Sequence, residues 1–533
     1  MGPPNDSFAH LHVHTEYSML DGAARIDELL RSAAEMGMPA IATTDHGYVF
    51  GAYEFWSKAR SHGIKPIIGV EAYLTPGTHR RDKTRVRWGD DTAGRDDVGG
   101  GGAYTHMTLL ARTTGGMHNL FRMSSLASME GHYFKPRIDR ELLARYAEGL
   151  IATTGCVGGE IQTRLRLGQY AEARRAAGEF QDVFGKENFF AEVMDHGIPI
   201  ERQTQRELLR LAKDLNLPLV ATNDLHYTQA SHAKAHAALL CVQSGSTLMD
   251  PNRFKFEAEE FYLKTPEQMR HLFRELPEAC DNTLLIAERC EVDFVEGEGR
   301  YMPRFPCPPG EDEESWFVKE VERGLRLRYP DGVPEYASER ARYETEVILK
   351  KGYGSYFLVV ADFINWAKDH GIRVGPGRGS GAGSMCAYAM RITDLDPVEH
   401  DLVFERFLNP ERPSMPDFDV DFDERRRGEV IRYVTEKYGE ERVAQIVTYG
   451  TIKAKQAVKD AARVMGHPFA MGEKLTKAMP PPIMGKDMPL SGVFDPQHPR
   501  FHEAAEFRGV HDEDPQAKDV VQTALGLEGL KRQ

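Results

Sequence analysis

AHLHVHTEYSMLDG, residues 9–22, sets His10, His12 and His14 at every second position and carries Asp21 near its end. On a β-strand, side chains two apart share a face, so this spacing predicts a row of imidazoles on one side of a strand. Neutral imidazole is a good ligand for zinc or manganese. Alone, the row reads equally well as a polar strand face.

Working outward, other apolar runs end on the same chemistry. PAIATTD (39–45) leads into His46, KPIIGVE (65–71) ends on Glu71, and EGLIATTGC (148–156) ends on Cys156. FFAEVMD (189–195) is a further run of this kind, and LPLVATND (217–224) delivers Asp224 followed by His226. Helix-period stretches such as ARIDELLRSAAEMG (24–37) and ERQTQRELLRLAKDL (201–215) separate them. Alternating strands and helices predict a parallel sheet or β/α barrel, in which the C-terminal strand ends converge on the functional face. His106 in YTHMTLL and Asp21 complete a set of metal-competent side chains. Nine ligands exceed what one tetrahedral ion uses, so two or three ions are expected. Cys156 as thiolate favours zinc, while the carboxylates also accept manganese.

Composition bounds the rest. The 533 residues have an ordinary globular mixture, 41% hydrophobic and 28% charged, and suffice for several domains. The six cysteines are scattered without a CxxC pair, which points to a reducing cytoplasm. No apolar run is long enough to span a membrane, and the first ten residues do not read as a signal peptide. The net charge of −14 argues against a generic nucleic-acid coat but not against a local basic patch. RRDKTRVRWGDDTAGRDDVGGGGA (80–103) reads as a mobile loop, and EVDFVEGEGRYMPRFPCPPGEDE (291–313) as a linker.

A second chemical signal follows that linker. DFDVDFD (417–423) predicts a strand with Asp417, Asp419, Asp421 and Asp423 on one face and Phe418, Val420 and Phe422 on the other. Like charges in a row repel, so such a face makes sense where cations sit on it, and two carboxylates spaced i, i+2 can hold a pair of Mg²⁺ ions. A solvated acidic edge strand is the plain alternative. GIRVGPGRGSGAGSM (371–385) reads as strand, glycine loop and helix, a phosphate-accommodating arrangement that lacks the GK[ST] of a Walker loop. Further on, Lys453, Lys455, Lys459 and Arg463 in a helical stretch read either as phosphate contacts or as a solvated helix face.

These motifs carry a family resemblance. HLHVHTEYSMLDG with TTDHG resembles the PHP (polymerase and histidinol phosphatase) domain, and the surroundings through DPNRFKFEAEEFYLKTPEQM resemble the version in DnaE-type alpha subunits of bacterial DNA polymerase III, closest to actinobacterial replicative forms. GPGRGSGAG, FERFLNPER (404–412) and DFDVDFD resemble, in that order, the palm of those polymerases. The resemblance implies an α/β fold: a distorted, TIM-like β/α barrel over 1–285, the first part of an α+β nucleotidyltransferase-like palm over 286–440, a helical thumb over 441–527, and the start of a return to the palm over 528–533. It assigns metal ligation to His12, His14, Asp21, His46, Glu71, His106, Cys156, Asp224 and His226, with His10, Asp45 and His196 supporting. It assigns catalysis to Asp417 and Asp419, triphosphate contacts to Arg378, Gly379, Ser380, Arg406 and Arg412, and supporting roles to Asp421 and Asp423.

The implied function is a 3′–5′ proofreading exonuclease using two or three Zn²⁺ or Mn²⁺ ions, beside a Mg²⁺-dependent DNA polymerase site. The family's third catalytic aspartate, fingers and clamp-binding segment do not occur in these residues, so no DNA synthesis by this chain alone is expected. Implied partners are primer–template DNA and deoxynucleoside triphosphates, with the sliding clamp and other replisome subunits reached through the remainder of such a subunit; no membrane is involved. The alternatives are a stand-alone PHP-type phosphoesterase and a scaffold whose metals serve stability only.

Overall fold

The apolar runs fold as seven strands of one mixed sheet: β1 (Ala40–Thr43), β2 (Lys65–Leu74), β3 (Thr105–Ala111), β4 (Arg137–Ile138), β5 (Leu150–Thr153), β6 (Phe189–Val193) and β7 (Leu219–Ala221). The computed structural model describes residues 6–89, 99–296, 301–411 and 415–532. The strands lie in the order β1-β2-β3-β5-β6-β7, with β4 beside β2. Pairing is parallel except on either side of β3, which runs antiparallel to both β2 and β5.

The histidine segment closes this sheet on itself. His10 bridges Ile41 of β1, and Val13 bridges Leu225 just beyond β7, both in the parallel sense. Hydrogen bonds from Ala42 N to the His10 carbonyl (2.9 Å) and from His14 N to the Leu225 carbonyl (2.7 Å) hold the join. The segment bends at His12 rather than running as a regular strand. The row of three imidazoles expected from period two is therefore broken, and His10 turns instead to the Lys264 carbonyl, 2.8 Å away.

The closed end of the barrel is plugged, as in β/α barrels generally. Leu11, Ala42, Ile67, Leu110, Ile151, Phe190 and Val220 form one buried cluster with Ile286 and Ala287 of the helix Pro277–Arg289. A larger core lies between the sheet and the surrounding helices, whose apolar faces follow the helical period. In the helix Ile26–Glu35, for example, Ile26, Leu29, Leu30 and Ala33 are buried.

The chain divides into two units, residues 1–294 with 448–533, and residues 295–447. The helical stretch 441–527, set apart in the sequence reading as a domain of its own, mostly shares a core with the first domain. Ala457, Val458 and Ala461 of the helix Ala454–Val464 are buried in one cluster with Leu239 of the helix Ala233–Ser244 and with Tyr227. Arg25 adds three hydrogen bonds to the carbonyls of Leu525, Gly526 and Glu528. A helix with so strong an apolar face must bury it somewhere, and the sequence did not say against what.

The unit 295–447 has its own core, centred on Phe317, Phe357, Ile364, Met385 and Phe404. The aspartate run 417–423 is not a ladder strand: among the described residues it makes one bridge, Val374 to Phe422. Phe418, Val420 and Phe422 still pack inward on this core while Asp417, Asp419 and Asp421 stay exposed, so the alternation survives without a sheet. Of the loop predicted over 80–103, residues 90–98 lie outside the described residues.

Candidate metal centre

Six segments of the barrel bring their chemistry to one end. The residues after β1 supply His46, β2 supplies Glu71, the turn after β5 supplies Cys156, and the loop after β7 supplies Asp224 and His226. His106 comes from the start of β3, opposite Tyr73, which reaches the same end because that strand is reversed. His12, His14 and Asp21 come from the closing segment. Asp224 takes a left-handed backbone (φ 46°), a conformation that aspartate tolerates better than most residues.

Glu71 is the hub. One carboxylate oxygen lies 2.9 Å from His106 Nδ1 and 3.4 Å from Cys156 Sγ; the other lies 2.9 Å from His46 Nδ1 and 3.1 Å from His14 Nε2. Asp224 Oδ1 is 3.2 Å from the Nε2 atoms of both His12 and His14. Asp21 Oδ2 is 2.7 Å from His46 Nε2. Three overlapping triads, His14–His46–His226, His12–His14–Glu71 and Glu71–His106–Cys156, each hold their ligand atoms within 4.8 Å of one another. All nine residues singled out in the sequence meet here.

Second contacts orient the imidazoles. His12 Nδ1 donates to Glu192 Oε1 at 2.6 Å, and His226 Nδ1 donates to the Asp224 carbonyl at 2.7 Å. His14 Nδ1 lies 2.9 Å from Ser18 Oγ, which itself donates to Asp45 Oδ1, so the hydroxyl accepts from the ring. With a proton fixed on Nδ1, each ring turns an Nε2 lone pair toward the carboxylates. Those Nε2 atoms, with Asp21 Oδ1 and Asp224 Oδ1, are buried without a hydrogen-bond partner. Lone pairs crowded against carboxylate oxygens in a buried space call for cations between them. The donor set of imidazoles, carboxylates and one thiol therefore fits metal ions of the zinc and manganese kind.

Electrostatics agree. Burial pushes the Cys156 thiol well above its usual range, and Glu71 and Asp224 add to this, so its thiolate needs a cation. Burial opposes charge on His12, yet Glu192, Asp224 and Glu71 together pull it well above the ordinary histidine value. Glu71 is held well below the usual carboxylate range, His106 and His12 outweighing its burial. Protons and metal ions thus compete for the same positions, and metal binding releases protons.

The unit 295–447 carries the second constellation. Gly379 sits at φ 66°, and a Cβ there would meet Asp419 Oδ2 at 2.9 Å. Arg378 NH1 is 3.2 Å from Asp419 Oδ2, and its Nε is 3.0 Å from Asp421 Oδ2, so the guanidinium lies on the acidic face. Ser380 begins a short 3-10 turn, Ser380–Gly383, and Arg406 ends another, Phe404–Arg406, with its side chain exposed. Asp423 is engaged with Arg425, and Arg412 lies outside the described residues. Behind the glycine loop, the fully buried Glu344 accepts from Ser384 Oγ (2.8 Å), Met385 N (2.9 Å) and Cys386 N (3.0 Å), and pairs with Arg340.

Two family profiles cover most of the chain: "PHP domain" over residues 10–196 and "Bacterial DNA polymerase III alpha NTPase domain" over 315–533. A curated DNA polymerase III subunit alpha from Mycobacterium tuberculosis is 56% identical over 99% of this chain and 45% of its own length. The chain belongs to the DNA polymerase III alpha subunit family. Its counterparts from Saccharopolyspora erythraea and Thermus aquaticus are 56% and 42% identical over 99% and 98% of this chain, and over 45% and 46% of their own lengths. The chain thus spans about half the length of the curated relatives it matches. Its first domain is the PHP domain of that family, and its helices beyond 315 belong to the polymerase profile. The PHP profile ends before Asp224 and His226, which the fold adds to the cluster.

Three residues at the cluster were not legible in the sequence: Glu192, Ser18 and His236. Glu192 lies mid-strand in FFAEVMD, where a buried charge in an apolar run was the available signal. His236, in a plain helical stretch, places Nε2 3.9 Å from Asp21 Oδ1 and is buried with that nitrogen unpartnered. His10 and His196 stand apart from the cluster; His196 is held by Glu201 and the Asn223 carbonyl. Of the four helix cations noted at 453–463, three are engaged: Lys455 with Asp487, Lys459 with Glu473, and Arg463 with the carbonyls of Gly245 and Ser246.

Proposed function

We propose that the PHP domain of this chain is a 3′–5′ exonuclease that removes nucleotides from the end of a DNA strand, and that the unit 295–447 carries part of a site for DNA-templated nucleotidyl transfer. The observation that carries the first reading is the cluster of buried, partnerless Nε2 and Oδ1 atoms around Glu71. Two or three Zn²⁺ or Mn²⁺ ions would be held by His12, His14, Asp21, His46, Glu71, His106, Cys156, Asp224 and His226. Bound ions of this kind supply a hydroxide near neutral pH and stabilise the charge of the leaving oxygen.

The chain's own residues do the rest. Glu192, Ser18 and the Asp224 carbonyl keep the imidazole protons on the far side of each ring. Glu71 bridges the triads, and Tyr73, Tyr104 and Phe254 wall the cleft over them. For nucleotidyl transfer, Asp417 and Asp419 would bind Mg²⁺, with Arg378, Gly379, Ser380, Arg406 and Arg412 toward the triphosphate of an incoming deoxynucleotide. The exposure of Asp417 and Asp419, with Asp419 beside the Gly379 turn, supports this. Primer–template DNA and, through the remainder of such a subunit, the sliding clamp and other replisome proteins are the partners, in the cytoplasm.

The test is a primer carrying a 3′-terminal mismatch and a 3′ label, incubated with the protein plus Mn²⁺ or Zn²⁺, with chelator, and with His12→Ala and Asp224→Ala. Metal-dependent loss of the terminal nucleotide in wild type alone is expected. An uncut primer with metal-loaded wild type would leave only a structural role for the cluster.

A further inference from the structure

We infer that an aromatic track running from Tyr449 to the metal centre binds the unpaired 3′ segment of a DNA strand by base stacking; this rests on the exonuclease reading above. The cleft over the metal centre has a volume of about 400 Å³ and includes Asp21, His46 and His106 in its lining. That volume falls in the ordinary range for a ligand site. Its rim is the loop between β1 and the helix Ala52–Ser61, where Tyr48 and Phe50 stack face to face, centroids 4.4 Å apart and planes 11° apart. Phe50 is 37% exposed, so part of its ring is open to a base entering the cleft.

The rings continue in both directions. Outward, Tyr449 lies 5.6 Å from Phe50 and 5.3 Å from Tyr17. Inward, the half-buried Tyr104 stacks on the metal-site residue His106 at 5.9 Å and 15°, and the buried Tyr73 backs it edge-on at 4.8 Å and 70°. A lysine stands at each end: Lys531 Nζ is 5.1 Å above the Tyr17 ring, and Lys135 Nζ is 5.7 Å above Tyr73. Partly exposed rings along a cleft, some stacked and some edge-on to one another, with flanking cations suit single-stranded nucleic acid, whose every base offers a stacking face and every link a phosphate. Stacking on a ring reads no base edge, so this contact tolerates any sequence. It selects for fraying: a mismatched end loses less pairing energy than a matched one when it leaves the helix to stack on the track.

The experiment uses the whole chain and a short oligonucleotide with 2-aminopurine next to its 3′ terminus. In chelator, without metal, wild type is expected to quench the fluorophore, and Phe50→Leu, which keeps an apolar side chain but no ring, to weaken that binding about 10-fold. With Mn²⁺, the ratio of kcat/KM for the oligonucleotide to that for bis(p-nitrophenyl) phosphate should fall about 10-fold in Phe50→Leu. It should stay constant in Tyr53→Leu, a ring outside the cleft that packs on Trp56 and Phe294. Metal-free binding that Phe50→Leu leaves intact overturns the track, even where cleavage is seen. Failure of wild type to cleave either diester counts against the exonuclease reading instead, while the metal-free measurement still decides the track.

Discussion

Replacing Glu192 by glutamine should weaken metal binding although Glu192 is not among the nine residues proposed to hold the ions. Its two oxygens, fully buried, accept from His12 Nδ1 (2.6 Å), from Thr222 Oγ1 (2.6 Å) and from Thr153 Oγ1. The two threonine hydroxyls can rotate to accept from an amide, but the His12 Nδ1–H cannot. A glutamine that turns its oxygen to the ring keeps the proton on Nδ1 but removes the carboxylate charge that makes Nε2 a stronger ligand, and one that turns its NH₂ to the ring forces the proton onto Nε2, the atom 3.2 Å from Asp224 Oδ1. A ligand is then weakened or lost without a change in the ligand set. Outer partners of this type are worth about 10- to 100-fold in metal affinity, or roughly 1.4–2.7 kcal/mol. The assay is competition for Zn²⁺ or Mn²⁺ against a fluorescent chelator, paired with melting temperatures in excess chelator and excess metal. Affinity should fall at least 10-fold, and excess metal should restore nuclease activity. Unchanged affinity, or the same loss of melting temperature with and without metal, would refute the tautomer argument and make Glu192 a packing residue.

Three further outcomes follow from named contacts. Arg137, fully buried, donates to the carbonyls of Gly131, Ala103, Arg80 and Asp82; Arg137→Met leaves buried acceptors unpaired and should cost about 4 kcal/mol in urea unfolding, with proteolysis first appearing around residues 80–104. Burial lowers the pKa of His10 from 6.5 to about 4, so the unfolded chain binds the extra proton between those values; stability is lost as pH is lowered from 6.5 to 4, and His10→Gln should abolish about 3 kcal/mol of that loss, read as the difference between the two proteins at pH 7 and pH 4. Gly379→Ala combines a positive φ with a Cβ 2.9 Å from Asp419 Oδ2, and should weaken deoxynucleoside triphosphate binding, followed by Mn²⁺-supported equilibrium dialysis, while the melting temperature changes by only a few degrees.

What sequence made legible depended on whether chemistry sat at a strand end. His46, Cys156, Asp224 and His226 follow apolar runs whose length and β-branching mark them as strands, and convergence of strand ends does the rest. His106 breaks that rule, since a single reversed strand, β3, brings its beginning to the same end; nothing in YTHMTLL announces direction. Glu192 and Glu344 were illegible for a different reason. Each is a carboxylate inside a regular element, and its importance lies in donors that arrive from elsewhere: Thr153, Thr222 and His12 in one case, Ser384, Met385 and Cys386 in the other. The helix Ala454–Val464 is the converse case. Its helical character was plain in the sequence, but the partner of its buried face, Leu239 on a helix more than 200 residues earlier, was not. That packing carries Tyr449 and Lys531 to the rim of the cleft, where Tyr449 meets Tyr17 and Phe50 and Lys531 meets Tyr17. A change in how residues 448–532 seat on the barrel would therefore alter the outer end of the aromatic track without touching a metal ligand. The polymerase-profile segment is in this way physically joined to the entrance of the cleft over the candidate metal centre, and Tyr449→Ala should weaken oligonucleotide binding while leaving metal affinity as it was.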